Sequence, residues 1–113
     1  MALTSGVVAG AGHFSIFKFS GNSGSAYTAK HGLSAAPEFF VVKNYASASS
    51  TWFAYAKHSA SDAETDYILF DGDGAMVDDS TAWNDTAPTG SVFTVGTHAM
   101  TNGNTEAMIA YLW

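Results

Sequence analysis

Cysteine is absent from the 113 residues, and so is arginine. The first absence removes disulfides, thiolate metal sites and cysteine nucleophiles. The second removes the bidentate fork that reads phosphate and guanine. Positive charge is scarce altogether: four lysines stand against ten acidic residues, for a formal charge of −6. A basic footprint for nucleic acid or anionic lipid is therefore missing, and no nucleic-acid or membrane partner is expected. Charged residues make up only 12% and prolines number two. No window approaches the length of apolar chain that spans a bilayer as a helix. The first thirty residues carry Lys18 and Lys30 alone, with no basic stretch ahead of an apolar run, so a secretory leader is not expected.

What the chain does have is apolar and aromatic: 47% hydrophobic residues, with eight Phe, five Tyr and three Trp. That excludes disorder, and the length suits one domain. Residues 1–12 (MALTSGVVAGAG) are small, uncharged and glycine-rich, and read as a flexible N-terminal arm that orders only against something else. Residues 13–113 form the body. They fall into short β-rich runs between turn signals: His13 to Ser20, Ala26 to His31, Glu38 to Asn44, Thr51 to Lys57, Tyr67 to Phe70, a short run within Ala75 to Trp83, Ser91 to Thr97, and Glu106 to Trp113. No sustained helical stripe occurs. About eight such runs predict an all-β fold, a compact antiparallel β-sandwich of jelly-roll-like type.

The last run is informative. Met108, Ala110 and Leu112 alternate with Ile109, Tyr111 and Trp113, so both faces of that strand are apolar. The same holds for Phe39 and Val41 against Phe40 and Val42. A sandwich strand ordinarily shows one face to water. Either a loop covers the second face or a subunit does. The interface candidates are Val7 and Val8 in the arm and Ile109, Tyr111 and Trp113 at the end.

Signals for chemistry are weak. Asp71-Gly72-Asp73-Gly74 with Asp78 and Asp79 lacks the third acid, the glycine position and the terminal glutamate of a calcium loop, and reads as a hairpin turn with solvated aspartates. His13, His31, His58 and His98 show no metal-ligand spacing. No GxSxG elbow and no phosphate-binding glycine loop is present. No catalytic residue, metal or cofactor is assigned. Trp52, Tyr45 and Trp83, with Tyr55 beside them, are the residues that could stack on sugar rings, against the plainer reading that they build the core.

Several blocks taken in order carry a resemblance: Gly21-Asn22, His31-Gly32-Leu33, Ala36-Pro37-Glu38-Phe39, Val41-Val42-Lys43-Asn44, Trp52 and Tyr55, Trp83-Asn84, Thr86-Ala87-Pro88-Thr89, Ser91-Val92-Phe93 and Ile109-Ala110-Tyr111-Leu112-Trp113. Together they resemble a domain found in tail-fibre-like and other structural proteins of tailed bacteriophages. The chain departs from that pattern at Asn44-Tyr45, at Ala56-Lys57 and at Trp113, where the family ends in Phe. The resemblance implies a non-enzymatic virion protein and supplies no catalytic residues. A chain that starts at Met1 and holds a single domain suits a capsid decoration (cement) protein, trimeric on the head lattice and docked on the major capsid protein, its arm adding to a neighbour's sheet edge. The alternative is a tail or baseplate appendage, or a fibre domain, that binds host glycans.

Overall fold

The computed structural model describes residues 12–113 in full and the backbone of Ser5–Ala9. Nine strands lie among the described residues: β1 (Ser5–Ala9), β2 (Phe14–Ser20), β3 (Tyr27–Lys30), β4 (Phe39–Asn44), β5 (Trp52–Ala56), β6 (Asp66–Leu69), β7 (Val77–Asp78), β8 (Val92–Val95) and β9 (Ala107–Leu112). One 3-10 turn (Ala63–Thr65) and one helical turn, α1 (Ala99–Asn102), join them. The all-β sandwich expected from the alternation is what forms. Its two antiparallel layers are unequal: a seven-stranded sheet in the order β1-β2-β9-β4-β5-β6-β7 faces a two-stranded sheet, β3-β8. A jelly roll shares eight strands between two sheets; here nearly all of them lie in one.

The segment expected as an arm contributes a strand to that large sheet. β1 runs antiparallel to β2, with Val7 opposite Ile16 and Val8 opposite Ser15. Pairing gives the backbone of β1 hydrogen-bond partners that a free arm would take from water. The rest of the expected arm up to residue 11, and the side chains of Val7 and Val8, lie outside the described residues.

The core fills the space between the layers. From the large sheet come Phe17 and Phe19, Met108, Ala110 and Leu112, Phe40 and Val42, and Phe53 and Tyr55, all buried; from the small sheet come Ala29, Phe93 and Val95. Register explains the choice. Phe17 lies opposite Ala110, Ala110 opposite Val42, and Val42 opposite Phe53, so these residues form one row across four strands. Two strands cannot roof a sheet this wide. The loop from residue 79 to 91 closes the remainder by inserting Trp83, which is 0% exposed. Its ring meets Phe40 edge-on at 5.0 Å, and its indole N–H donates to the Asp66 carbonyl at 2.7 Å.

The turns are fixed by buried polar groups. Asn102 is fully buried; its side-chain oxygen accepts from the Asn22 N–H at 2.6 Å, and its amide nitrogen donates to the carbonyls of Asn22, Ser25 and Gly96 at 2.8–3.0 Å. His31 is also buried: Nδ1 accepts from the Leu33 N–H at 3.0 Å, and Nε2 donates to the Thr89 carbonyl at 2.8 Å. No buried side-chain polar atom among the described residues lacks a partner, so the interior meets the usual condition for burying polarity. At two places the backbone itself comes close: a Cβ on Gly21 would stand 1.9 Å from the Gly103 carbonyl oxygen, and one on Gly96 2.1 Å from that of Thr81. Only a residue without a side chain fits either point.

Candidate functional site

The most distinctive surface is the outer face of the seven-stranded sheet. Strand alternation sends to that side every residue between the core positions. On β2 these are Phe14, Ile16 and Lys18; on β9, Ile109 and Tyr111, with Trp113 just beyond; on β4, Phe39, Val41 and Lys43; on β5, Trp52, Ala54 and Ala56. Register aligns them in rows. Ile16 lies opposite Tyr111, Tyr111 opposite Val41, Val41 opposite Ala54, and Ala54 opposite Ile68. Lys18 lies opposite Ile109, Ile109 opposite Lys43, and Lys43 opposite Trp52.

The rings on this face touch one another. Trp113 sits 5.1 Å from Phe14 and 5.7 Å from Phe39; Phe39 lies 5.7 Å from Phe70; Tyr111 lies 6.5 Å from Phe14 and 5.9 Å from Trp52. Mutual contact leaves most of them half-buried, and it covers Val41 and Ala54. Phe70 and Trp113 remain 61% and 50% exposed. Among the described residues no strand or helix crosses this side, because β3, β8 and α1 all pack on the core. β9 is central; on its second face Ile109 and Tyr111 are half-buried, with the rings of Phe14 and Trp52 against Tyr111 and no strand or helix among the described residues laid over them.

The sequence candidates divide sharply. Ile109, Tyr111 and Trp113 all lie on the open face. Trp52 joins them, half-buried against Tyr111. Tyr45, just past the end of β4, is 48% exposed, with the Lys18 ammonium 5.3 Å from its ring centroid, so a cation rests on that aromatic face. Trp83 does not belong here. It is sealed inside, as is Tyr55, and neither can present a ring to a sugar. Tryptophan content could not separate these fates; the inserted loop decides them.

A second feature opens at one end of this face. An open groove of about 470 Å³ is lined by Gly12, His13, Leu33 to Ala36, Glu38, Phe39 and Trp113. Glu38 carries the charge. Its Oε1 meets the Lys57 ammonium at 3.3 Å, and its Oε2 lies 3.6 Å from His58 Nε2. The hydrogen bond and charge of Lys57, then the charge of His58, hold the Glu38 carboxyl below the usual carboxylate range. Sequence reading placed Glu38 and Phe39 in a strand and did not single out this groove. Its parts come from four separate segments, and no spacing rule joins them.

The acidic motif is peripheral. Asp71 Oδ1 accepts from the Trp52 N–H at 3.1 Å and pins the start of β5. Asp73 is exposed in the turn that follows. Asp79 caps its own loop: the Thr81 hydroxyl and N–H donate to its Oδ1, at 2.6 and 2.9 Å, and hold its carboxyl below the ordinary range. No group of three or more His, Asp or Glu able to hold a metal occurs among the described residues.

The architecture and this face define a class: an all-β, two-layer domain that buries one side of its large sheet and presents an aromatic other side. Residues 2–113 match the family model described as a domain of unknown function, DUF7483, and the chain belongs to that family. No curated protein and no solved structure matches the chain.

Proposed function

We propose that this chain is a non-enzymatic structural protein of a tailed-bacteriophage virion, a capsid decoration protein that docks as a trimer on the head lattice beside the major capsid protein. The virion assignment rests on the sequence resemblance. The docking mode rests on one observation: on the outer face of the seven-stranded sheet the aromatic rings form one connected set of contacts, and no strand or helix among the described residues lies over them. A contiguous apolar patch of this kind marks an association surface. The dearth of cations fits a protein partner better than nucleic acid or anionic lipid.

The test has two readouts. Light scattering across a concentration series is expected to give a trimer, and Tyr111→Ser is expected to shift it toward monomer. Capsids stripped of decoration are expected to take up the parent protein at lattice symmetry axes and to take up the variant poorly. A parent protein that stays monomeric at high concentration and ignores capsids overturns the proposal.

A second reading, a fibre or appendage domain gripping host-surface glycans, draws on the accessibility of Tyr45 and Trp52. Glycan binding by the parent that disappears in Trp52→Ala, with the fold intact, would favour it over docking.

A further inference from the structure

The groove at the end of the sheet has the make-up of a small-molecule site, and we propose that it binds a neutral saccharide, one or two pyranose units in size, with Trp113 as stacking platform and Glu38 as hydroxyl acceptor. The proposal is separate from the Tyr45–Trp52 reading, since it uses neither of those residues; it shares Trp113 and Phe39 with the aromatic face proposed for docking, so the two occupants would compete for that end of the face.

Three observations carry it. Size is the first: about 470 Å³ falls in the range of small-ligand clefts and would hold a disaccharide at most. Lining character is the second. Trp113 is half-exposed, and its ring is fixed by Phe14 at 5.1 Å and Phe39 at 5.7 Å. A ring held in place loses little freedom when a ligand stacks on it, and an indole suits ligands with one apolar face and polar edges. The rest of the lining is short: Gly12, Ser34, Ala35 and Ala36 leave backbone within reach. That side is also held, because the Ser34 N–H donates to the Gly12 carbonyl at 3.0 Å. A pyranose, with an aliphatic face and a rim of hydroxyls, matches both sides at once.

The third observation is the carboxylate. Glu38 is steadied by Lys57 and His58, one on each oxygen. A carboxylate has about four acceptor positions, so about two are left for ligand hydroxyls. An O–H donating to an ionised oxygen makes one of the stronger hydrogen bonds available. His13, exposed in the same lining, adds a further polar group. Net charge sets the selectivity. Lys57 offsets the charge of Glu38 itself, but an anionic sugar would still approach a chain of net charge −6, so neutral glycans are preferred over sialylated, uronic or phosphorylated ones.

The test uses the full chain on an array of immobilised neutral and acidic glycans, followed by saturation-transfer NMR with the methyl glycosides of the hits. Binding to neutral glycans is expected. Trp113→Ala should weaken it several-fold to about tenfold, about the worth of one aromatic contact, and Glu38→Gln by a similar factor. Two controls separate this site from the other readings. Trp52→Ala should leave affinity unchanged. Tyr111→Ser, meant to disrupt self-association, should leave it unchanged as well. No neutral glycan bound, binding confined to acidic glycans, or binding lost in Trp52→Ala or Tyr111→Ser but kept in both groove variants each overturns the proposal. If Trp113→Ala fails to fold, Glu38→Gln decides the matter alone: it keeps the shape of the side chain, removes its charge and turns one acceptor oxygen into an amide donor.

Discussion

The two faces of the seven-stranded sheet are built from the same alphabet and end in opposite states. Phe17, Phe40, Phe53 and Leu112 point inward and are buried to within a few per cent of total. Phe14, Phe39, Trp52 and Tyr111 point outward, contact one another and stay half-open. What separates them is closure. The inner face meets β3, β8, α1 and the Trp83 loop, and every buried side-chain polar atom there is satisfied. The outer face meets none of these. Hydrophobic composition alone therefore says that a surface is to be covered, and the fold says which surface the chain covers for itself.

The largest expected effect breaks the comparison on its closed side. Trp83→Ala removes the plug between the layers, its contacts with Phe40 and Tyr55, and its hydrogen bond to Asp66. It should cost about 3–5 kcal/mol, as large aromatic truncations in cores do. Tyr111→Ser on the open face should cost no more than about 1 kcal/mol while reducing self-association. Chemical denaturation of both variants, with scattering on the same samples, checks the pair. Equal losses of stability would mean that the outer face is as integral to the fold as the inner one.

The next effect tests the polar half of closure. Asn102→Ala strands the Asn22 N–H and the carbonyls of Asn22, Ser25 and Gly96. A loss of about 2–3 kcal/mol is expected from leaving several buried groups without partners. Asn104→Ala, two residues away and exposed, should change stability by less than about 0.5 kcal/mol. The difference between two asparagines so close in sequence measures what burial does to an amide.

Much of this fold was legible from residue order. The runs starting near His13, Glu38, Thr51 and Glu106 became β2, β4, β5 and β9, because alternation and β-branched or aromatic content act locally. Even the two-residue β7 lay inside the stretch marked for a short strand. The apolar character of both faces of β9 was also plain. What stayed hidden depends on contacts far apart in sequence. Asn102 is joined to Asn22 across 80 positions, and Trp83 owes its burial to a loop whose path no local rule prescribes. That is why Trp83 stood with Trp52 and Tyr45 as a sugar platform until the fold separated them. The motif blocks follow the same lesson. His31, Pro37 and Trp83 are buried, and Gly21 sits where no side chain fits, so these blocks specify the scaffold. Other block residues, among them Phe39, Trp52, Tyr111 and Trp113, lie on the outer face, so the same blocks also carry the surface able to meet a partner.

The smallest expected effect concerns the edge where both faces run out. Asp66 on β6 lies directly opposite Asp78 on β7, and like charges in register oppose each other. Burial comes first, then the charges of Asp62 and Asp78, in raising the Asp66 carboxyl above its ordinary value of 3.8. A raised value means that the folded chain holds this proton more tightly than the unfolded chain does. Stability from this group is then greatest below the unfolded value and is lost as pH rises through the folded one. Asp66→Asn imitates the protonated form. It should raise the melting temperature slightly near pH 7 and leave it unchanged near pH 3, where the parent carboxyl is already neutral. Asp78→Asn should recover a smaller part, because burial of Asp66 remains. The charges nonetheless serve a purpose at this position: a short acidic edge strand resists pairing with another sheet. If Asp66→Asn also promotes edge-to-edge association, which Tyr111→Ser does not relieve, that edge is guarded by charge while the aromatic face is left open to a partner. A stability gain that persists at low pH would assign the effect to something other than ionisation.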